Sequence, residues 1–175
     1  MRKLHIGGKL KCEGWEVLNA NPAPYVDYVC NANDLSQFEN DTFDQLYASH
    51  VLEHFDFRDE LPMTLREWNR VLVPGGTVFI SVPDLDALSG LLLEKERLRA
   101  EERYFVMRML FGGLKDRYDY HMVGLNLDFL THFLVNSGFI NIQQVKDFGI
   151  FADTSLMIYK GVSISLNMIA EKRRA

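Results

Sequence analysis

Residues 43–54 read FDQLYASHVLEH, and residues 67–85 read EWNRVLVPGGTVFISVPDL. The first stretch opens with a short apolar run, Gln45 to Ala48, behind the turn-rich NDTFD. Phe57 to Leu72 then places Leu61, Leu65, Trp68, Val71 and Leu72 at helical spacing. Pro74-Gly75-Gly76 stops that helix, and TVFISV follows as a β-rich run ending at Pro83-Asp84. Strand, helix and strand in that order predict a parallel crossover within an α/β sheet.

The same stretch has a second spelling. His50-Val-Leu-Glu-His54 is H-x-x-E-H, a zinc-protease pattern. That chemistry needs a third protein ligand and a helix that carries both histidines. Here the motif directly follows a strand, and Phe57-Arg58-Asp59 begins the next helix within three residues. His121 or an acidic residue could complete a ligand set, but nothing in the sequence fixes one nearby. The expectation is therefore no metal and no stoichiometric zinc.

Working outward, apolar runs recur at Leu4–Ile6, Trp15–Leu18 and Tyr25–Cys30, each ended by Gly or Asn. Only Gly7 to Gly14 separates the first two, whereas a parallel crossover usually takes a dozen residues or more. The first helix is thus expected to shrink to about one turn. Beyond Asp84, helices are expected over Ala87–Leu93, Glu94–Leu110 and Leu127–Val135, the last closed by Ser137-Gly138. Residues 139–148 and 155–166 read as an antiparallel strand pair ending the sheet. The whole chain, 1–175, reads as one domain, with 85–126 as a helical insert or lid.

Composition bounds the function. The balance of 47% hydrophobic and 25% charged residues is ordinary for a soluble globular chain. A net charge of −5 gives no basic surface for nucleic acid or anionic lipid. No apolar run reaches membrane-spanning length, and MRKLHIGGKL lacks the apolar core of a signal peptide. Cys12 and Cys30 form no CxxC pair and read as free thiols of a cytoplasmic protein, although one disulfide stays open.

In open α/β sheets, ligands bind beyond the carboxyl ends of the strands. Those ends carry Gly7-Gly8-Lys9, Asn19, Asn33-Asp34 and Ser49-His50. Paired glycines allow close backbone approach, or simply make a turn. Asn19 has the donors and acceptors for a diol, and Asp34 could accept from an amine, although both are common loop residues. In the insert, Gly112-Gly113 and Gly124 allow bending around Asp119 and His121. His121 has a pKa range suited to a general base. It reads equally as a loop-packing residue beside Tyr118 and Tyr120. His54 likewise reads as functional or as a capped, partly buried side chain.

The ordered set LHIGGK, GWEVLNANP, NDLSQF, DTFDQLYASHVLEH, EWNRVLVPGGTVFISVPDL and NSGFINI resembles class I S-adenosylmethionine-dependent methyltransferases, in particular the small bacterial type-11 group. The resemblance runs from about Leu4 to Ile142. It implies a Rossmann-like, mostly parallel sheet and S-adenosylmethionine as cofactor. Gly7 and Gly8 match the loop around the methionine part, without the usual G-x-G-x-G spacing. Asn19 stands where an acid normally grips the ribose. Asp34 matches the adenine-binding aspartate, with Leu35 offering its backbone amide. Ser49 and His50 match the segment that passes the sulfonium. His121 and His54 are then the candidate catalytic residues. The implied acceptor is a small molecule or saccharide hydroxyl, and a second copy of the chain is a candidate partner. The competing expectations are a non-catalytic partner subunit and a zinc hydrolase.

Overall fold

The computed structural model describes residues 1–114 and 119–174. Tyr118, weighed above as a packing residue, lies outside them.

The strands are β1 (Lys3–Ile6), β2 (Glu16–Asn19), β3 (Tyr28–Val29), β4 (Phe43–Ser49), β5 (Leu72–Pro83), β6 (Phe139–Val145), the two-residue β7 (Ile158–Tyr159) and β8 (Val162–Ser163), and β9 (Ser165–Lys172). Seven of them form one sheet in the order β3-β2-β1-β4-β5-β9-β6. From β3 to β5 all neighbours are parallel. β9 runs antiparallel to both β5 and β6. The chain walks outward from β1 to β3, then returns to the other side of β1 as β4. The switch point, where such folds bind ligands, is the gap between β1 and β4. A terminal antiparallel pair is present as β6 and β9, but its second strand lies at Ser165–Lys172 rather than over 155–166.

Strand alternation divides the side chains between two faces. Leu4, Ile6, Leu46, Ala48, Val78 and Ile80 point to one face and are buried. Two helices cover that face, α1 (Glu60–Val71) and α4 (Leu127–Asn136). α1 presents Leu61, Leu65, Trp68 and Val71 to the strands, as its sequence spacing predicts. Burying four such side chains contributes roughly 1.5–3 kcal/mol each relative to leaving them in water. The Trp68 Nε1–H donates to the Ala32 carbonyl at 2.8 Å, and Arg70 donates to the Leu35 and Phe38 carbonyls. These bonds lash residues 32–38 along the helix.

The opposite face, carrying His5, Tyr47 and Phe79, has no helix from the first crossover. Residues 7–15 form turns only, so the expected one-turn helix is absent. Gly7 turns at φ +74°, and its N–H donates to the Leu18 carbonyl at 2.7 Å. The chain therefore folds straight back toward β2, leaving too little length for a helix. Phe148 and Phe151, from the segment after β6, pack there instead with Trp15 and Tyr47.

Other boundaries also move. β3 keeps only two of the six residues expected as a strand, because Val26 N–H closes a turn onto the Ala23 carbonyl. The insert holds α2 (Leu85–Leu93) and α3 (Ala100–Phe111), with turns rather than helix over 94–99. Residues 155–166 are not one strand. Lys160 and Gly161 both have positive φ, 50° and 79°, as a tight hairpin turn requires, so the chain doubles back as β7 and β8 before β9 begins. Leu88, Leu91, Val106 and Ile164 bury a small second core beneath this hairpin. Both cysteines are free. Among the described residues, no helix is long and apolar enough to cross a membrane.

Candidate active site

β4 ends at Ser49, beside the switch point. The next residue, His50, has φ +54°, and its N–H donates to the Ser81 carbonyl of β5 at 2.8 Å. This left-handed step, uncommon for a residue with a Cβ, turns the chain into a 3₁₀ turn at Leu52–His54. Leu52 and Glu53 are buried by that turn, while His50 and His54 are partly exposed. The insert then comes back over it. Met122 N–H donates to the Glu53 carbonyl at 2.7 Å, and Leu85 N–H to the Leu125 carbonyl at 2.9 Å. His121 is thereby laid against the turn, with its ring 5.0 Å from that of His54.

Gly112 makes this return possible. It has φ +86°, and a Cβ there would lie 2.0 Å from the Asp119 carbonyl oxygen. Only glycine accepts both the conformation and the contact.

The hydrogen-bond network assigns the imidazole tautomers. His54 Nδ1–H donates to the Tyr120 carbonyl at 2.9 Å, and His121 Nδ1–H donates to the Leu110 carbonyl at 3.2 Å. Both Nε2 atoms therefore carry free lone pairs. Ser165 spends its hydroxyl proton on the Thr154 carbonyl, so His50 Nε2–H donates to Ser165 Oγ at 3.0 Å. His50 Nδ1 is left with its lone pair facing Glu53 Oε1 at 3.4 Å.

Glu53 is 1% exposed, and neither carboxylate oxygen has a hydrogen-bond partner. His121 Nε2 lies 4.0 Å from Oε1. Burial pushes the Glu53 carboxyl up to about 8. Burial likewise lowers His50 to about 4, with His121 as a further cause. His121 is lowered by burial and then by His54. At neutral pH the His50 and His121 imidazoles are uncharged, so they accept protons or donate lone pairs rather than present positive charge.

The structure brings His54 and His121 together, as the catalytic expectation requires, and adds Glu53, which the sequence reading did not assign. A carboxylate followed by a histidine, behind two apolar residues, was the available signal. Gly7, Gly8, Asn19, Ser49 and His50 share the carboxyl edge. The glycines are packed by the protein itself. A Cβ on Gly7 would lie 2.7 Å from Val51 Cγ2, and one on Gly8 would lie 2.9 Å from the His5 ring and Val17. Asn19 Nδ2–H donates to the Gly8 carbonyl at 2.9 Å, while its Oδ1 accepts from Asn21 N–H at 2.9 Å. Asn19 thus shapes the glycine loop and retains one amide hydrogen for a ligand.

Asp34 is exposed and accepts from Ser36 N–H at 3.2 Å; the Ser36 hydroxyl, and then that N–H, hold its carboxyl below the usual range. Leu35 is fully buried. The Glu67 carboxylate of α1 is held low by Arg70, and also by the Leu35 backbone N–H. The amide expected to meet adenine therefore faces α1. The edge fits S-adenosylmethionine around its methionine and sulfonium parts, through Gly7, Gly8, Asn19 and His50. The Leu35 amide is already engaged by Glu67, whereas the Asp34 carboxylate is open to solvent.

The methyltransferase-domain family matches residues 13–80, which span β2 through most of β5. The CurJ carbon methyltransferase structure is 17% identical over 99% of this chain, with a TM-score of 0.59. A S-adenosylmethionine-dependent methyltransferase from Archaeoglobus fulgidus is 14% identical over 98% of this chain and 86% of its own length, at 0.62. One from Thermotoga maritima, described as a possible histamine N-methyltransferase, is 16% identical over 98% and 82%, at 0.58. Residues 13–80 thus match a methyltransferase-domain family, and the chain as a whole shares its fold with solved S-adenosylmethionine-dependent methyltransferases. The chain spans 48% of the CurJ structure's length. No curated protein matches the sequence.

Proposed function

We propose that the domain transfers a methyl group to a hydroxyl of a small molecule or saccharide, with His121 as the general base and His54 beside it. The observation that carries this reading is the pair of free Nε2 lone pairs next to the switch point. When bound, S-adenosylmethionine supplies an electrophilic methyl group, and its sulfur keeps the electron pair of the broken bond. The acceptor oxygen forms the new C–O bond, and its proton passes to His121 Nε2. Positioning supplies most of the rate, because the methyl donor is already reactive. Gly7, Gly8 and Asn19 shape the pocket floor, and His50 fixes the wall by its bond to Ser165.

A second reading has one specific observation behind it. The expected adenine contact, Asp34, faces solvent, and the ribose position is neutral Asn19. Both favour a non-catalytic member of the fold acting as a partner subunit. Calorimetry with S-adenosylhomocysteine separates the two. Binding heat and a raised melting temperature are expected. His121→Asn should keep that binding and lose transfer of labelled methyl to a panel of hydroxyl acceptors. No heat and no thermal shift at saturating ligand would remove the enzyme reading in favour of the partner subunit.

A further inference from the structure

Glu53, His54 and His121 each aim one ligand atom into a common space, and those atoms all lie within 4.8 Å of one another. Bonds of about 2.0–2.2 Å to a tetrahedral zinc put ligand atoms roughly 3.3 Å apart. Small side-chain rotations, on the order of an ångström at each group, close the set to that spacing. Three further observations point to a ligand. Glu53 is almost completely buried with both oxygens unpartnered, so its carboxyl holds a proton that a bound cation could displace. Both imidazoles donate Nδ1–H to a backbone carbonyl, the arrangement that commonly orients metal-bound histidines. The two segments are also held in register by the Met122–Glu53 backbone bond. The set is not the His50–His54 pair weighed in the sequence, since His50 Nε2 bonds Ser165; Glu53 and His121 join His54 instead.

We propose that Glu53 Oε1, His54 Nε2 and His121 Nε2 form a binding site for one divalent first-row transition-metal ion. Two imidazoles and one carboxylate suit zinc, cobalt, manganese or iron(II). They do not suit calcium or magnesium, which prefer all-oxygen sets. Three protein ligands leave coordination positions open, as in catalytic rather than structural sites. An acceptor hydroxyl oxygen bound there would lose its proton more easily. The histidine lone pairs would then serve the ion instead of taking that proton directly. That last role rests on the methyltransferase reading, whereas the ion site itself does not.

The test uses the full chain without an affinity tag, stripped by chelator and titrated with cobalt(II) alone. One cobalt per chain is expected, with visible absorption bands that one equivalent of zinc abolishes. Glu53→Gln, His54→Asn and His121→Asn should each weaken cobalt binding at least about tenfold. The surface change His132→Asn should leave it unchanged. Melting curves confirm folding, and His121→Asn, on the partly exposed return segment, guards against a Glu53 variant that fails to fold. No cobalt binding by the parent chain overturns the proposal, as does binding indifferent to His121→Asn. Calorimetry with S-adenosylhomocysteine on the same samples separates the two ideas. Binding of that ligand without cobalt overturns the ion site and leaves methyl transfer standing. Cobalt without that ligand supports the ion site and removes methyl transfer.

Discussion

Acid should destabilise this protein through one residue of the first strand. His5 lies 5% exposed between Tyr47 and Phe151, with ring centroids 5.0 and 4.3 Å away, and its Nδ1 has no partner. Burial lowers its titration from 6.5 to about 4, against the opposing pull of Asp153. The unfolded chain takes up a proton near 6.5, whereas the folded chain waits until about 4. Stability from the neutral ring is thus complete above pH 6.5 and is lost as pH falls through 4. At roughly 1.4 kcal/mol for each tenfold change, the loss is about 3 kcal/mol, most of it gone by pH 4.5. His5→Phe keeps an aromatic ring in the cluster and removes the proton. Urea denaturation of both proteins from pH 7.5 to 4.5 should show their stability difference shifting by about 2–3 kcal/mol in favour of the variant at low pH. Other groups titrate in both proteins and cancel in that difference. Parallel curves across the range would refute the assignment of a buried neutral His5.

Two glycines with the same backbone conformation form a controlled pair. Gly7→Ala and Gly14→Ala both place a Cβ at φ near +75°, which costs about 1–2 kcal/mol. Only Gly7 meets a side chain, Val51, so its variant should lose measurably more stability in urea melts than the Gly14 variant, which meets nothing within 4 Å. Asn19→Asp removes the N–H that satisfies the Gly8 carbonyl and sets a negative charge against it. A loss of about 1–3 kcal/mol in thermal or chemical unfolding is expected, and tighter S-adenosylhomocysteine binding in calorimetry would show that the ribose contact outweighs the loop.

Strong local signals made part of this architecture readable in advance. β1, β2, α1 and the outer half of β5 are apolar runs ended by Gly, Asn or Pro, so their residues decide their own conformation. The last strand was misplaced because Lys160 adopts a left-handed turn that its residue type does not announce. The missing first helix is compensated by Phe148 and Phe151, whose docking depends on contacts distant in sequence. His54 and His121 were visible as chemistry-bearing residues. Their meeting at Glu53 was not, because it depends on the fold of the insert and on the close approach at Gly112. The turn that Asp34 closes onto Ser36 N–H was not legible either, because it depends on a local side-chain rotamer. His5, between Leu4 and Ile6, was overlooked because an apolar strand was read for one buried face when both faces are covered.

The position of β9 has a consequence for how the chain is made. This strand is last in sequence but lies inside the sheet, bonded to Thr77–Pro83 on one side and to residues of β6 on the other. During synthesis, β5 and β6 emerge long before the strand that joins them. Until residues 165–172 leave the ribosome, the nascent protein carries two open strand edges, the very surfaces on which chains pair with one another. A product that stops before Ser165 is thus a sheet in two pieces, exposed to aggregation and to proteases.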